Sequence, residues 1–232
     1  MNKTIAILLA AGKSERFRNE TPKPFLILGG KAIYQYSLSV FETHPEIDEI
    51  VFVVPQEMLL VENEKLKKEK RLKTIHLVEG GETRFQSVKN ALDHLGANFK
   101  LVLIHDAARP FITKDLIDKC IQNLSQNKAV SCAIESTDTL VFANEKGFAN
   151  SFPDRSKLYR IQTPQAFHLD VLKKGYSLAS KEEKTDFTDD GSMISHYNLA
   201  PIFLIPGNEK NIKITFPFDL EIAEQILLKK RS

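Results

Sequence analysis

An α/β fold, with a mostly parallel sheet flanked by helices, is what this 232-residue sequence predicts. Three observations carry the prediction. Short β-rich apolar runs alternate with longer helical patterns, the signature of βαβ units around a parallel sheet. Small-residue or glycine turns follow the first and third of these runs, at Ala10-Ala11-Gly12 and Gly80-Gly81. One hairpin signal interrupts the alternation, late in the chain.

Taken in order, the first strand covers 4–9, and a helical pattern over 33–41 leads to a second strand at 50–54. The helix at 57–70 runs into a lysine-rich stretch, 62–73, whose glutamates alternate with its lysines. That spacing reads as a solvated face rather than a nucleic-acid contact. A third strand at 74–78 ends at the Gly80-Gly81 turn, and Glu82-Thr83-Arg84 opens a helix over 83–95. The fourth strand, at 101–104, precedes a helix over 113–124 that starts at Thr113-Lys114-Asp115-Leu116. A fifth strand follows at 129–133. Two extended runs, 139–143 and 148–152, then flank Asn144-Glu145-Lys146-Gly147, a hairpin signal. A lone hairpin is marginal in water, and Phe142, Phe148 and Phe152 need cover. The segment reads as an arm packed on another subunit, the other option being that it folds back on its own domain. Helices at 169–179, 189–196 and 219–229 and a last strand at 202–205 complete the pattern. The expectation is a single domain over 1–232, Rossmann-like, with an inserted β-hairpin dimerisation arm at about 136–159.

Composition narrows the function. Hydrophobic residues at 42% and charged residues at 27% are globular values, and a net charge of +2 is too small to indicate nucleic acid. The two cysteines, Cys120 and Cys132, lack the spacing of a zinc site or a disulfide framework. The longest apolar run, 5–11, is too short to span a bilayer, and no charged segment precedes it. A cytoplasmic protein is expected.

The segment Ile104-His105-Asp106-Ala107-Ala108-Arg109-Pro110 places a carboxylate and a guanidinium at the carboxyl end of a parallel strand. Open α/β sheets bind ligands at that edge. Asp106 suits a cation or a sugar hydroxyl and Arg109 a phosphate, unless they are a cap and a surface charge. His105 alternates away from that face and reads as structural. Gly12-Lys13-Ser14 imitates a Walker A ending, but position 7 is Ile, so that loop is excluded, and no GxGxxG follows. What remains is a small-residue turn where backbone N–H groups approach a base or phosphate closely. Arg16 and Lys23 follow it, Lys23 stiffened by Pro22 and Pro24. The helix start after Gly80-Gly81, with Ser87, suits an anion or the edge of a base. Asp154-Arg155, Thr163-Pro164-Gln165 and Asn211-Ile212-Lys213-Ile214-Thr215 add cations and hydroxyls. No GxSxG, HExxH or paired-histidine spacing is present. A cation-rich site without an evident general base suits attack by a phosphate monoester, which is already largely a dianion at neutral pH. The catalytic problem is then repulsion from a triphosphate, relieved by cations and magnesium.

These segments, with Asp138-Thr139 and Thr188-Asp189-Asp190, resemble the 2-C-methyl-D-erythritol 4-phosphate cytidylyltransferases across nearly the whole chain. HDAARP and TPQ are the most specific parts of the match. The resemblance implies a nucleotidyltransferase of non-mevalonate isoprenoid biosynthesis. It joins CTP and 2-C-methyl-D-erythritol 4-phosphate to give 4-diphosphocytidyl-2-C-methyl-D-erythritol and pyrophosphate. It implies that Ala10, Ala11, Gly12, Gly81, Glu82 and Ser87 hold cytosine, and that Asp106 and Ala107 hold the ribose. Arg16 and Lys23 would stabilise the pentacoordinate α-phosphorus and the departing pyrophosphate. Arg109, Thr139 and Thr163 would bind the polyol phosphate, sharing Asp106, while Arg155 and Lys213 would aim it for in-line attack. Thr139 and Arg155 would come from the arm of a second subunit, making a homodimer. Magnesium would be bound mainly through the CTP phosphates, with no dedicated protein ligand. Neither nucleic acid nor membrane is an expected partner. Ribitol 5-phosphate cytidylyltransferases share the nucleotide site, but look more often like Ala-Gly-Gly in the first loop and Ser-Val where this chain has Ala107-Ala108. A non-catalytic nucleotide-binding module is the reading from another class, and both phosphate clamps together argue against it.

Overall fold

The computed structural model describes residues 3–12, 21–96 and 98–231. The chain enters through β1 (Lys3–Leu9), then a short hairpin of β2 (Ile27–Leu28) and β3 (Lys31–Ala32), and α1 (Ile33–Glu42). It continues through β4 (Glu49–Val54), α2 (Leu59–Lys68), β5 (Thr74–Glu79), α3 (Arg84–His94), β6 (Phe99–Asp106), α4 (Lys114–Asn123) and β7 (Ala129–Glu135). The late hairpin is β8 (Phe142–Ala143) and β9 (Ala149–Ser151). After it come β10 (Tyr159–His168), α5 (Leu169–Lys181), α6 (Asp190–His196), β11 (Phe203–Pro206) and α7 (Pro217–Arg231).

Seven strands form one sheet in the order β11-β7-β10-β6-β1-β4-β5. Every pairing is parallel except those of β10, which runs antiparallel between β6 and β7. Alternation along β1 feeds two cores. Ile5 and Ile7 join residues of α3, α5 and α6 on one face, while Ala6 and Leu8 join α1 and α4 on the other. A third small core sets Leu28 and Ile33 against Ile214 and Ala223 of the C-terminal region.

The six strands expected from the apolar runs all form, most of them a residue or two longer. The seventh, β10, has no counterpart among them, and it contains the Thr163-Pro164-Gln165 segment. Proline removes a ladder donor and argues against an interior strand. Here it is tolerated because the β10–β7 register shifts between Ile161 and Gln165, so Pro164 falls at the irregularity. The two extended runs around Asn144 pair antiparallel, but as a separate two-stranded sheet much shorter than the runs themselves.

Candidate active site

Strand order reverses between β1 and β6: β4 and β5 lie beyond β1, while β10, β7 and β11 lie beyond β6. Ligands of open α/β sheets bind at such a switch point, outside the carboxyl ends of the strands. The Ala10–Gly12 turn leaves β1 there and Asp106 ends β6 beside it. The Ala107 N–H donates to the Leu9 carbonyl at 2.9 Å, and the Ala10 N–H donates to Val53 at 2.8 Å, so both turns are fixed to the sheet. A third turn closes in from β5. A Cβ added to Gly80 would stand 2.1 Å from that of Ala11, so only glycine lets the two loops meet. The Ser87 hydroxyl accepts from the Gly81 N–H at 3.1 Å and donates to the Thr83 carbonyl at 2.9 Å, locking that turn onto α3.

These three turns enclose a cavity of about 310 Å³. Ala11, Gly12, Lys23, Glu82, Ser87, Asp106 and Lys213 line it, all expected at the site, together with Arg84. A second cavity of about 470 Å³ adjoins it, with Arg109, Thr163, Gln165 and Asp189 in its wall. Arg84, Asp106 and Lys213 line both.

Asp106 is the electrostatic centre. Lys213 Nζ lies 2.8 Å from its Oδ2 and Arg84 Nε 3.8 Å from its Oδ1. Burial alone would raise its carboxyl, but Lys213, Arg84 and Arg109 hold it well below the usual carboxylate range. Lys213 reaches this position because Ile214 N–H donates to the Ala108 carbonyl at 2.9 Å, strapping the segment after β11 across the end of β6. Arg109 is also held by backbone: its nitrogens donate to the carbonyls of Asn211 at 2.8 Å and Ile161 at 3.4 Å.

Behind Asp106 the fully buried His105 fixes the wall. Its Nε2 meets the Arg109 carbonyl at 3.0 Å, which requires a donor, so Nδ1 accepts from the Thr163 hydroxyl at 3.1 Å. That hydroxyl in turn accepts from the Asp106 N–H at 3.1 Å. Burial pushes the imidazole down to about 4, so it is neutral. Thr163 thus lines the second cavity with its hydroxyl already engaged on both sides.

Lys23 begins a single turn of 3-10 helix, Lys23–Phe25, and its ammonium lies 3.5 Å from the Thr215 carbonyl. Thr139 is exposed and Arg155 sits in a 3-10 turn beyond β9, its guanidinium 3.4 Å from the Thr137 carbonyl. Neither is among the residues lining the two cavities described above. Arg16 lies outside the described residues. In the sequence Arg84 reads as part of a helix start and falls within a segment that carries the resemblance, with no role of its own. Its place beside Asp106 depends on Asp190, which is 106 residues away in the chain, and no local pattern reveals that.

The 2-C-methyl-D-erythritol 4-phosphate cytidylyltransferase family model matches residues 4–229. A protein of that name from Clostridium botulinum is 39% identical over 229 residues, 99% of either chain. The chain is also similar to a solved 4-diphosphocytidyl-2C-methyl-D-erythritol synthase from Anaerococcus prevotii. That likeness has a TM-score of 0.85 and 31% identity, over 98% of this chain and 96% of that one. For a 2-C-methyl-D-erythritol 4-phosphate cytidylyltransferase from Francisella tularensis the TM-score is 0.80 and the identity 28%, over 97% and 99% of the chains.

Proposed function

The chain belongs to the 2-C-methyl-D-erythritol 4-phosphate cytidylyltransferase family, and we propose that it is a single nucleotidyltransferase domain joining CTP to 2-C-methyl-D-erythritol 4-phosphate. The products are 4-diphosphocytidyl-2-C-methyl-D-erythritol and pyrophosphate, an isoprenoid precursor and its leaving group. One observation carries the reading: two adjoining cavities at the switch point share Arg84, Asp106 and Lys213. A joining reaction needs that arrangement, with each substrate in its own cavity and the new bond at the boundary.

CTP occupies the first cavity, its base against the Ala10–Gly12 and Gly81–Ser87 turns and its ribose hydroxyls on Asp106 and the Ala107 backbone. The polyol phosphate occupies the second, with Arg109 and Thr163 in its wall. Lys213 orients the phosphate at the boundary, so one of its oxygens attacks the α-phosphorus in line. The new P–O bond forms as the bond to pyrophosphate breaks, and Lys23 with Arg16 takes up the charge that collects there. Each charge-assisted hydrogen bond is worth about 1.5–3 kcal/mol. Magnesium would be held mainly by the CTP phosphates, with at most indirect help from Asp106, whose two oxygens face Lys213 and Arg84. When bound with CTP, that ion supplies neutralisation of the triphosphate.

Thr139 and Arg155 lie on the hairpin segment, outside the two site cavities of their own chain, and are read as completing the site of a partner subunit. The enzyme is accordingly a homodimer through the arm, working in the cytoplasm. Among the described residues no helix is long and apolar enough to cross a membrane.

Pyrophosphate release measured with CTP, magnesium and one polyol phosphate at a time tests the assignment. Turnover with methylerythritol phosphate is expected to exceed that with ribitol 5-phosphate. The reverse order would overturn the substrate, and turnover with neither would leave a nucleotide-binding module.

A further inference from the structure

A chain of charges crosses the boundary between the two cavities and ends outside both. Lys213 pairs with Asp106 at 2.8 Å, Asp106 faces Arg84 at 3.8 Å, and Arg84 is bonded to Asp190 at 2.6 Å. Asp190, at the start of α6, has a fully buried side chain and lines neither cavity. Its second oxygen accepts the Tyr176 hydroxyl at 2.6 Å, and the Tyr176 ring stacks on Phe85 at 4.7 Å between centroids. The neighbouring Asp189 caps α6 through Ser192 and accepts from Gln165 at 2.7 Å. The helix start is therefore served without Asp190.

A buried ion pair is weak evidence for stability, because its desolvation offsets much of its attraction. Its value lies in geometry. Arg84 has two carboxylates within reach, and the nearer one is not the one at the site. We propose that Asp190 is a positioning residue for cytidylyl transfer: it anchors Arg84 at the cavity boundary and keeps that guanidinium from closing onto Asp106. Asp106 carries two opposing cations, and Lys213 already occupies one oxygen. Without the Asp190 charge, Arg84 turns to the remaining oxygen, the one left for the ribose hydroxyls. The inference rests on the cytidylyltransferase reading, since it assigns Asp106 to the ribose.

The test compares Asp190→Asn, Tyr176→Phe, Arg84→Ala and the Arg84→Ala/Asp190→Asn double variant with the unaltered enzyme. CTP affinity is measured by calorimetry without polyol phosphate, alongside KM for each substrate and the unfolding midpoint. Asp190→Asn is expected to weaken CTP binding and raise KM for CTP about tenfold, with KM for the polyol phosphate within twofold. Tyr176→Phe keeps the ring and the carboxylate, so it lowers the unfolding midpoint and leaves CTP affinity within twofold. The double variant binds CTP no more weakly than Arg84→Ala, because Asp190 acts through Arg84. Equal losses of CTP affinity in Tyr176→Phe and Asp190→Asn would reduce Asp190 to a structural residue and overturn the proposal. So would additive losses in the double variant. If Asp190→Asn does not fold, Asp190→Ser is used in its place, alone and combined with Arg84→Ala, and additive losses there overturn the proposal equally. Absence of turnover in the unaltered enzyme would count against the reaction, not against the anchor, which the calorimetry reads independently.

Discussion

His105 shows how one buried side chain ties stability to pH. It donates to the Arg109 carbonyl and accepts from Thr163, an arrangement open only to the neutral imidazole. Its pKa falls from 6.5 to about 4 because burial penalises the charged ring. Between those values the unfolded chain binds the extra proton, so stability rises with pH across that window and is lost as pH falls through it. The Asp106 carboxyl is also shifted down, by Lys213, Arg84 and Arg109, and contributes stability above the ordinary carboxylate pKa, which is lost only at more acid pH. Urea unfolding at pH 7.5 and 4.5 is expected to show a loss of about 2.5 kcal/mol attributable to His105. His105→Asn, which cannot take up the proton, should be less stable at pH 7.5 but lose less on acidification. An unchanged slope would mean that other groups set the acid sensitivity. The sequence placed this histidine correctly as structural, since alternation along β6 turns it from the Asp106 face. It could not show that the same ring braces Thr163, 58 residues away.

The hairpin of β8 and β9 is short, and its aromatic residues lie open: Phe142 is 62% exposed, and Phe148 and Phe152 are each 68% exposed. An isolated two-stranded ribbon gains little from its own hydrogen bonds in water. Exposed aromatic side chains on such a ribbon are the ground for the proposed contact with a partner subunit. Sedimentation is expected to show a dimer for the unaltered chain and a monomer for Phe142→Ser/Phe148→Ser. Turnover should fall at least tenfold as Thr139 and Arg155 leave the partner's site, while CTP affinity holds. A fully active dimeric variant would place the interface elsewhere. The β10 strand teaches the converse lesson. Gln162, Thr163 and Gln165 are all buried in it, yet Pro164 and the polar residues break every strand pattern. Polar residues are tolerated there because partners across the fold meet them: Asn208 and Asn211 for Gln162, Ser131 and Asp189 for Gln165.

At the scale of the molecule, the site joins the ends of β1, β5 and β6 with the segment after β11, so a ligand there stabilises the whole fold. CTP with magnesium at a hundred times its dissociation constant is expected to add about 2.7 kcal/mol. A domain of this size then melts roughly 5–10 °C higher. An equal shift with GTP would count against base recognition by the Ala10–Gly12 and Gly81–Ser87 turns. The sequence by itself determined the α/β class, six of the seven sheet strands and the motifs at the switch point. Those features are local: apolar runs, helix starts, and glycines where loops must approach. The tertiary structure decided which of those motifs share a cavity, that Arg84 belongs among them, and that Asp190 stands behind it. Such pairings join residues 100 or so positions apart, as with Arg84 and Asp190 or Lys213 and Asp106. No periodicity encodes them, because the order of strands, set by how two apolar faces are covered, brings them together.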